Sequence, residues 1–347
     1  MKKVQRLALT LAPVLLAGML LTKADAADTT KLDGPLTIAK QGSFFVGGHD
    51  IKSDALSSVP QFGASGTITV DQMYVRYQMP MHPKDYSVVL IHGCCLTGKS
   101  WETTPDGRMG WDEYFLRRGF STYVIDQSWR GRSAASPVAL NMVKTGKAAP
   151  DSVPAFTAAG HEVAWTVFRF GAEYPQVFDG LQFPLQAQEE FWKQMVPDWN
   201  YSMTPPVPTV KALSELSQKL GKTVLISHSQ SGIFPFQTAT MSPKGIAGIV
   251  SIEPGACPAT SYDMAALKGI PVLVLFGDFV GKSEVWSKRL ASCHDFADAA
   301  KKAGVEVEVV ELPSVGIHGN SHMLMQDKNN LQVADWLIDW LGKHLKG

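Results

Sequence analysis

The sequence predicts an α/β fold, a mostly parallel sheet with helices on both faces. Three observations predict it. Short, continuously apolar runs recur along the 347 residues, patterns of helical period separate most of them, and one run breaks off at Ser227-His-Ser-Gln-Ser-Gly232 ahead of a further helical pattern. Strands that are apolar throughout, rather than in alternation, are buried on both faces, as in a parallel sheet between two helix layers.

At the amino terminus, Lys2, Lys3 and Arg6 precede the apolar Leu7–Leu21, and Ala24-Asp-Ala26 follows. A basic region, a 15-residue apolar core and an A-x-A site predict a signal peptide over residues 1–26, and a mature chain 27–347 that is periplasmic or secreted. The core is short for a membrane span and Pro13 interrupts it, so no membrane partner is expected for the mature form. Residues 1–26 hold four basic residues (Lys2, Lys3, Arg6, Lys23) and one acidic residue (Asp25), so the 32 and 32 of the whole chain become 28 and 31, a formal net charge of −3. Without a basic stripe, that balance offers no footprint for nucleic acid. The mature length fits one α/β domain carrying an insertion, with no internal repeat or low-complexity tract.

The first apolar run, Ser87-Val-Val-Leu-Ile-His-Gly-Cys94-Cys95, ends in His-Gly and reads as a strand and its loop. A helix should follow, with Trp111, Tyr114 and Phe115 on one face and Gly119 as its stop. The next strand, Ser121-Thr-Tyr-Val-Ile-Asp126, leads into Trp129-Arg-Gly-Arg-Ser133, which resembles the D-x-x-G-x-G-x-S loop of many α/β-hydrolases. The strand pattern then stops until Thr223. The stretch 134–208 is rich in aromatics, among them Trp165, Phe168, Phe170, Phe183, Phe191 and Trp199, and Pro205-Pro-Val-Pro208 closes it. It reads as a cap insertion whose aromatics mostly form its own core, with a few lining an apolar pocket. A helix over Val210–Leu220, with Leu213, Leu216 and Leu220 at helical spacing, returns the chain to the sheet.

The strand Thr223-Val-Leu-Ile-Ser-His228 ends at Ser229, and a helix follows. A serine at the apex of a strand–turn–helix is the nucleophile elbow of α/β-hydrolases, usually G-x-S-x-G. Here Ser227 and Ser231 stand at the glycine positions, which serine can fill at some cost in strain. Further strands are Ile246-Ala-Gly-Ile-Val-Ser-Ile252, Pro271-Val-Leu-Val-Leu-Phe276 and Val305-Glu-Val-Glu-Val-Val310. His318 and His322 follow the last of these, where this fold places its catalytic histidine.

His92-Gly-Cys-Cys95, Ser227-His-Ser-Gln-Ser-Gly232, Ser251-Ile-Glu-Pro254 and Gly316-Ile-His-Gly-Asn-Ser-His322 resemble the bacterial esterase 713 family of α/β-hydrolases, from about residue 36 to the carboxyl terminus. The resemblance implies hydrolysis of a small-molecule carboxylic ester by a Ser-Glu-His triad, and often a homodimer. Ser229 would be the nucleophile, His322 the base and Glu253 the acid. The backbone N–H groups of Cys94 and Gln230 would form the oxyanion hole. Asp278 is the alternative acid, because most α/β-hydrolases use the later strand. His318 is the alternative base, less favoured because His322 sits directly before the final helical pattern of Leu331, Ala334, Trp336, Leu337, Ile338 and Leu341. His228, beside the nucleophile, should point elsewhere and be structural. The resemblance implies a bridge between the adjacent Cys94 and Cys95, leaving Cys257 to pair with Cys293 in an oxidising compartment.

No cofactor and no metal are expected; His318 and His322 have i, i+4 spacing, but the glycine and asparagine between them argue against a helical metal pair. Two rivals come from other classes. One is a catalytically inactive relative that only binds ligand. The other is a P-loop nucleotide-binding protein, since Gly93-Cys-Cys-Leu-Thr-Gly-Lys-Ser100 fits G-x-x-x-x-G-K-[ST] after a strand. A P-loop must open directly into a helix, whereas Trp101–Gly110 reads as a loop.

Overall fold

The elements succeed one another as strands β1 (Ile38–Ser53), β2 (Gly66–Pro80) and β3 (Ser87–Ile91), helix α1 (Trp111–Arg117), strand β4 (Thr122–Asp126), helix α2 (Val138–Lys144), strand β5 (Phe156–Thr157), helices α3 (His161–Val167) and α4 (Gln188–Lys193), strand β6 (Asp198–Trp199), helix α5 (Pro208–Leu220), strand β7 (Thr223–His228), helix α6 (Phe234–Met241), strands β8 (Ile246–Ile252) and β9 (Val272–Phe276), helix α7 (Glu284–Lys302), strand β10 (Val307–Glu311) and helix α8 (Asn330–His344). This computed structural model describes residues 34–345, and these elements belong to one compact unit, Leu36–Gly347. The expected signal peptide lies outside the described residues. Among the described residues no helix is long and apolar enough to cross a membrane.

Eight strands form one sheet in the order β1-β2-β4-β3-β7-β8-β9-β10. From β4 to β10 neighbouring strands run parallel, while β1–β2 and β2–β4 are antiparallel. The six strands expected from the sequence are all present. The long β1–β2 hairpin at the edge was not anticipated. In β1 only Val46 is buried, so this strand lacks the apolar run that marks the others.

Two apolar clusters lie on the two faces, and successive residues of each central strand alternate between them. Val88, Leu90, Val224, Ile226, Leu273 and Leu275 enter one cluster, and Val89, Ile91, Leu225, Val272, Val274 and Phe276 enter the other. Burial on both faces is why these strands read as continuous apolar runs. Truncating one, such as Leu225, to alanine would cost about 2–5 kcal/mol.

Between β4 and α5 the chain forms α2, α3, α4 and the small β5–β6 ribbon. Trp165, Phe168, Phe170, Phe183 and Phe191 are buried there and pack on one another. They share one cluster with Val88 and Val224 of the sheet. The aromatics are therefore a continuation of the main core, not a separate core belonging to the insertion. Phe156, Tyr174 and Tyr201 remain exposed.

Candidate active site

The carboxyl end of β7 builds the elbow. Ser229 has φ 57°, the left-handed region that a side chain occupies only under strain. The turn continues as a 3₁₀ helix over Ser229–Ile233 before α6 begins. The two serines at the glycine positions are fully buried, with their hydroxyls bonded to backbone. Ser231 Oγ donates to the carbonyl of His228 at 2.9 Å and accepts from the His228 N–H at 3.2 Å. Ser227 Oγ faces the Val250 carbonyl at 3.4 Å. The closest approach falls instead on Gly232, where a Cβ would lie 2.6 Å from Pro254 Cβ. Gly93 is constrained in the same way, since a Cβ there would meet Ser229 Cβ at 2.8 Å. The loop after β3 thus touches the elbow because Gly93 lacks a side chain, and the chain leaving β8 touches it because Gly232 does.

β7 and β8 are neighbours, and His228 pairs with Ile252 in their register. Ser229 and Glu253 therefore leave adjacent strand ends side by side. The Glu253 Oε2 lies 3.1 Å from His322 Nδ1, and both side chains are fully buried. The backbone of His322 is held at both ends, its N–H donating to Phe168 O and its carbonyl accepting from His228 Nε2, each at 2.9 Å. Phe168 stacks on the imidazole, with ring planes 17° apart. The remaining ring nitrogen, His322 Nε2, is buried and has no hydrogen-bond partner among the described residues. That is the atom a general base at this position would use, and contacts of that kind often tighten only with substrate.

Burial pushes the His322 imidazole down, Glu253 pulls it up, and the Arg169 and Arg289 guanidiniums add to the fall, to about 4. Burial would raise the Glu253 carboxyl, but Arg169 and His322 outweigh it and hold it at about 2. The pair therefore reads as a carboxylate and a neutral imidazole. His228 is also fully buried and its pKa falls well below the ordinary range, chiefly through burial. Its Nε2–H supports the backbone of His322, as expected of a structural side chain.

The alternative acid and base lie together, apart from this pair. Asp278 Oδ1 accepts from Phe279 N at 2.7 Å and Oδ2 from Gly319 N at 2.9 Å. His318 Nδ1 sits 3.9 Å from Asp278 Oδ2, with its side chain 67% exposed. The loop that carries His322 is ordered by Asp327, which accepts from Ser321 N, Ser321 Oγ and Asn320 Nδ2 at 2.7–3.0 Å.

Cys94 and Gln230 are only partly buried, like Ser229, while Glu253 and His322 are covered. Gln230 is the second residue of its helical turn, so its N–H has no partner within the turn. Among the described residues no hydrogen bond runs from the Cys94 N–H.

Cys257 and Cys293 form a disulfide. The expected Cys94–Cys95 bridge is not formed here. The two residues are free thiols with sulfurs 2.7 Å apart, and Cys95 has φ 57°. Closing that bridge would strain the loop, because adjacent Cα atoms are about 3.8 Å apart, below the usual disulfide range of about 4.4–6.8 Å. Among the described residues Cys94, Cys95 and Asp198 could together hold a metal. The Asp198 oxygens, however, already accept from Arg130 and Gln230. The P-loop pattern leads into a four-residue 3₁₀ turn, Gly98–Trp101, and no helix starts before Trp111. Asp126 accepts from Gly98 N and Arg132 and is a structural brace for these loops.

Three charged residues of the site escaped sequence reasoning: Arg130, Arg169 and Asp198, all buried. Arg169 donates to both oxygens of Glu253. Arg130 bonds Gly93 O, Asp198 and Gln230. Arg130 was visible inside the loop after Asp126, but nothing in the sequence marks a buried arginine.

No family model matches the chain. It is 27% identical over 357 residues to a probable secreted lipase, phiG, of a fungal species, covering 84% of this chain and 92% of that protein. Its structure resembles that of a novel bacterial esterase solved at atomic resolution, with a TM-score of 0.88 and 61% identity over 90% of this chain and 98% of that one. With so similar a relative over nearly the whole of both chains, and the same strand–elbow–helix architecture, this protein belongs to the α/β-hydrolase family, among its bacterial esterases.

Proposed function

We propose that the protein is an exported carboxylic ester hydrolase that works through an acyl-enzyme. Ser229 Oγ attacks the ester carbonyl while its proton passes to His322 Nε2. The carbonyl oxygen becomes an oxyanion facing the N–H groups of Cys94 and Gln230. Collapse expels the alcohol, which takes the proton from His322, and water then hydrolyses the acyl-Ser229 by the same route. Glu253 keeps the proton of His322 on Nδ1, so that Nε2 is free to accept, and it stabilises the imidazolium as it forms.

The observation that carries this reading is the buried Glu253–His322 bond of 3.1 Å beside a strained serine. A neutral imidazole with a vacant Nε2 is the protonation state a general base needs. Export is supported by the Cys257–Cys293 disulfide and by the secreted relative.

The test is hydrolysis of p-nitrophenyl esters of increasing acyl length by the mature protein and by Ser229→Ala, with fluorophosphonate labelling of both. Loss of labelling and of several orders of magnitude of turnover in a folded Ser229→Ala is expected. Labelling that persists there but vanishes in Ser227→Ala or Ser231→Ala would remove Ser229 from the role. A wild-type protein that neither labels nor turns over would make it an inactive ligand-binding relative.

A further inference from the structure

The side chain of Arg130 is completely shielded from solvent. Its Nη1 donates to Gly93 O at 2.9 Å, and its Nη2 donates to Asp198 Oδ1 and, at 2.8 Å, to Gln230 Oε1. The Gln230 amide closes the ring, Nε2 donating to Asp198 Oδ2 at 2.7 Å. Arg130, Asp198 and Gln230 thus form a triangle in which each bonds the other two.

This triangle reaches both residues assigned to the oxyanion hole. The carbonyl of Gly93 and the N–H of Cys94 belong to one planar peptide unit, so in the trans form they point in opposite directions. Fixing the carbonyl fixes the aim of the N–H. Two donors grip that carbonyl, Arg130 Nη1 and His92 Nδ1, the latter also at 2.9 Å. The tautomer of His92 is set from its other side, because Nε2 accepts from Gln127 N at 3.0 Å. Donation onto a carbonyl also polarises the amide and strengthens its N–H as a donor. Gln230 carries the second N–H of the hole, and its side chain is tied into the same triangle. Asp198 comes from the insertion and offsets the guanidinium charge.

We propose that Arg130 is a positioning residue that aims both donors of the oxyanion hole, through the Gly93–Cys94 peptide on one side and the Gln230 side chain on the other. It rests on the esterase reading above. Preorganised donors matter for the tetrahedral intermediate far more than for ground-state binding. A residue that aims them should therefore act on kcat and on tetrahedral adducts, and little on KM. A residue that merely props the β6 segment would act on stability alone.

The experiment compares wild type, Ser229→Ala, Arg130→Lys, Gln230→Met and the Arg130→Lys, Gln230→Met double variant; Gln230→Met keeps the backbone donor. Two quantities are read: kcat and KM for a p-nitrophenyl ester, and the inhibition constant of an alkyl trifluoromethyl ketone. In that adduct Ser229 Oγ bonds the ketone carbon, its proton passes to His322, and the carbonyl oxygen becomes the oxyanion. Arg130→Lys should lose about 10–100-fold in kcat, less than deleting a donor outright, with KM nearly unchanged. Ketone affinity should fall by a similar factor. Gln230→Met should fall in the same direction, and the double variant by less than the product, since both act through one triangle. If Ser229→Ala still hydrolyses ester, the nucleophile assignment fails and the hole with it. If hydrolysis requires Ser229 but Arg130→Lys keeps its kcat and ketone affinity, the role of Arg130 alone is overturned. Should Arg130→Lys not fold, unchanged ketone affinity in Gln230→Met overturns it equally, and a parallel loss there supports it.

Discussion

Arg169 grips the carboxylate of Glu253 with both arms of its guanidinium, Nη1 to Oε2 at 2.7 Å and Nη2 to Oε1 at 2.5 Å. Gly277 N completes Oε1 and His322 Nδ1 completes Oε2, so each oxygen has two partners. Arg169 itself has φ 56°, donates through Nε to Asp278 O, and lies 5.1 Å from the centre of the Trp286 ring. The proposed acid is therefore held by Arg169, from the segment between β4 and α5, as well as by the end of the neighbouring strand β9.

This arrangement sets a pH dependence. The base must be neutral to accept a proton, and burial, opposed by Glu253 and helped by Arg169, places His322 at about 4. The acid limb of kcat/KM should thus lie well below the ordinary histidine value of about 6.5. In Arg169→Met one of the two cations that depress His322 is gone, and the burial that raises Glu253 is less opposed. Both changes move the limb to higher pH, whereas Arg169→Lys should move it less. Profiles of kcat/KM from about pH 4 to 8 check this; a limb in Arg169→Met that coincides with wild type contradicts the coupling.

The two carboxylates should separate cleanly. Glu253→Gln is expected to lower kcat by about 10³–10⁴-fold, as loss of a triad acid does. It should also destabilise by about 3–5 kcal/mol, because the buried Arg169 loses its counter-charge. Asp278→Asn should change both far less, since its side chain is 26% exposed and bonds two backbone N–H groups. Steady-state kinetics with chemical denaturation of both variants decides, and the larger fall in turnover identifies the acid.

His322→Ala should be nearly inactive, while His318→Ala should keep most of its turnover because that side chain is exposed and lies near Asp278 rather than Glu253. Folding of His322→Ala needs its own check by circular dichroism, as Phe168, Trp286 and His228 all pack on that ring. A folded His322→Ala that still hydrolyses ester would exchange the two roles.

The cysteines give a redox prediction. The Cys257–Cys293 bridge spans 36 residues, so its removal should cost about 3–4 kcal/mol on the chain-entropy model. The Cys94 and Cys95 sulfurs, 2.7 Å apart, are expected to join in protein taken from an oxidising compartment. Mild reductant should then lower turnover well before it unfolds the protein, because a closed ring would stiffen the loop that presents the Cys94 N–H. Peptide mapping of unreduced, alkylated protein checks this, and alkylation of both residues refutes it.

The parallel sheet was legible because its strands are buried on both faces and so carry apolar residues on both. Thr223–His228 and Ile246–Ile252 announce themselves for that reason. The β1–β2 hairpin was not, since an edge strand with one buried residue satisfies its backbone without an apolar signature. Ser229 was nameable because a strand, a tight turn and a helix are local, whereas the pairing of Cys257 with Cys293 followed only from the resemblance, which implied that Cys94 and Cys95 pair with each other. Glu253 and Asp278 both end strands, so only the resemblance ranked Glu253 first, and His318 and His322 share a loop, where only the nearness of His322 to the final helical pattern favoured it. Tertiary structure brings Glu253 to His322 and leaves Asp278 with His318. It also buries Arg130, Arg169 and Asp198, whose charges look in the sequence like ordinary solvated ones. A buried ion pair is defined by partners 68 and 84 positions apart in the chain. Local sequence determined the strands and the elbow, because these follow from neighbouring residues. The charges around them were decided only where distant segments meet away from water.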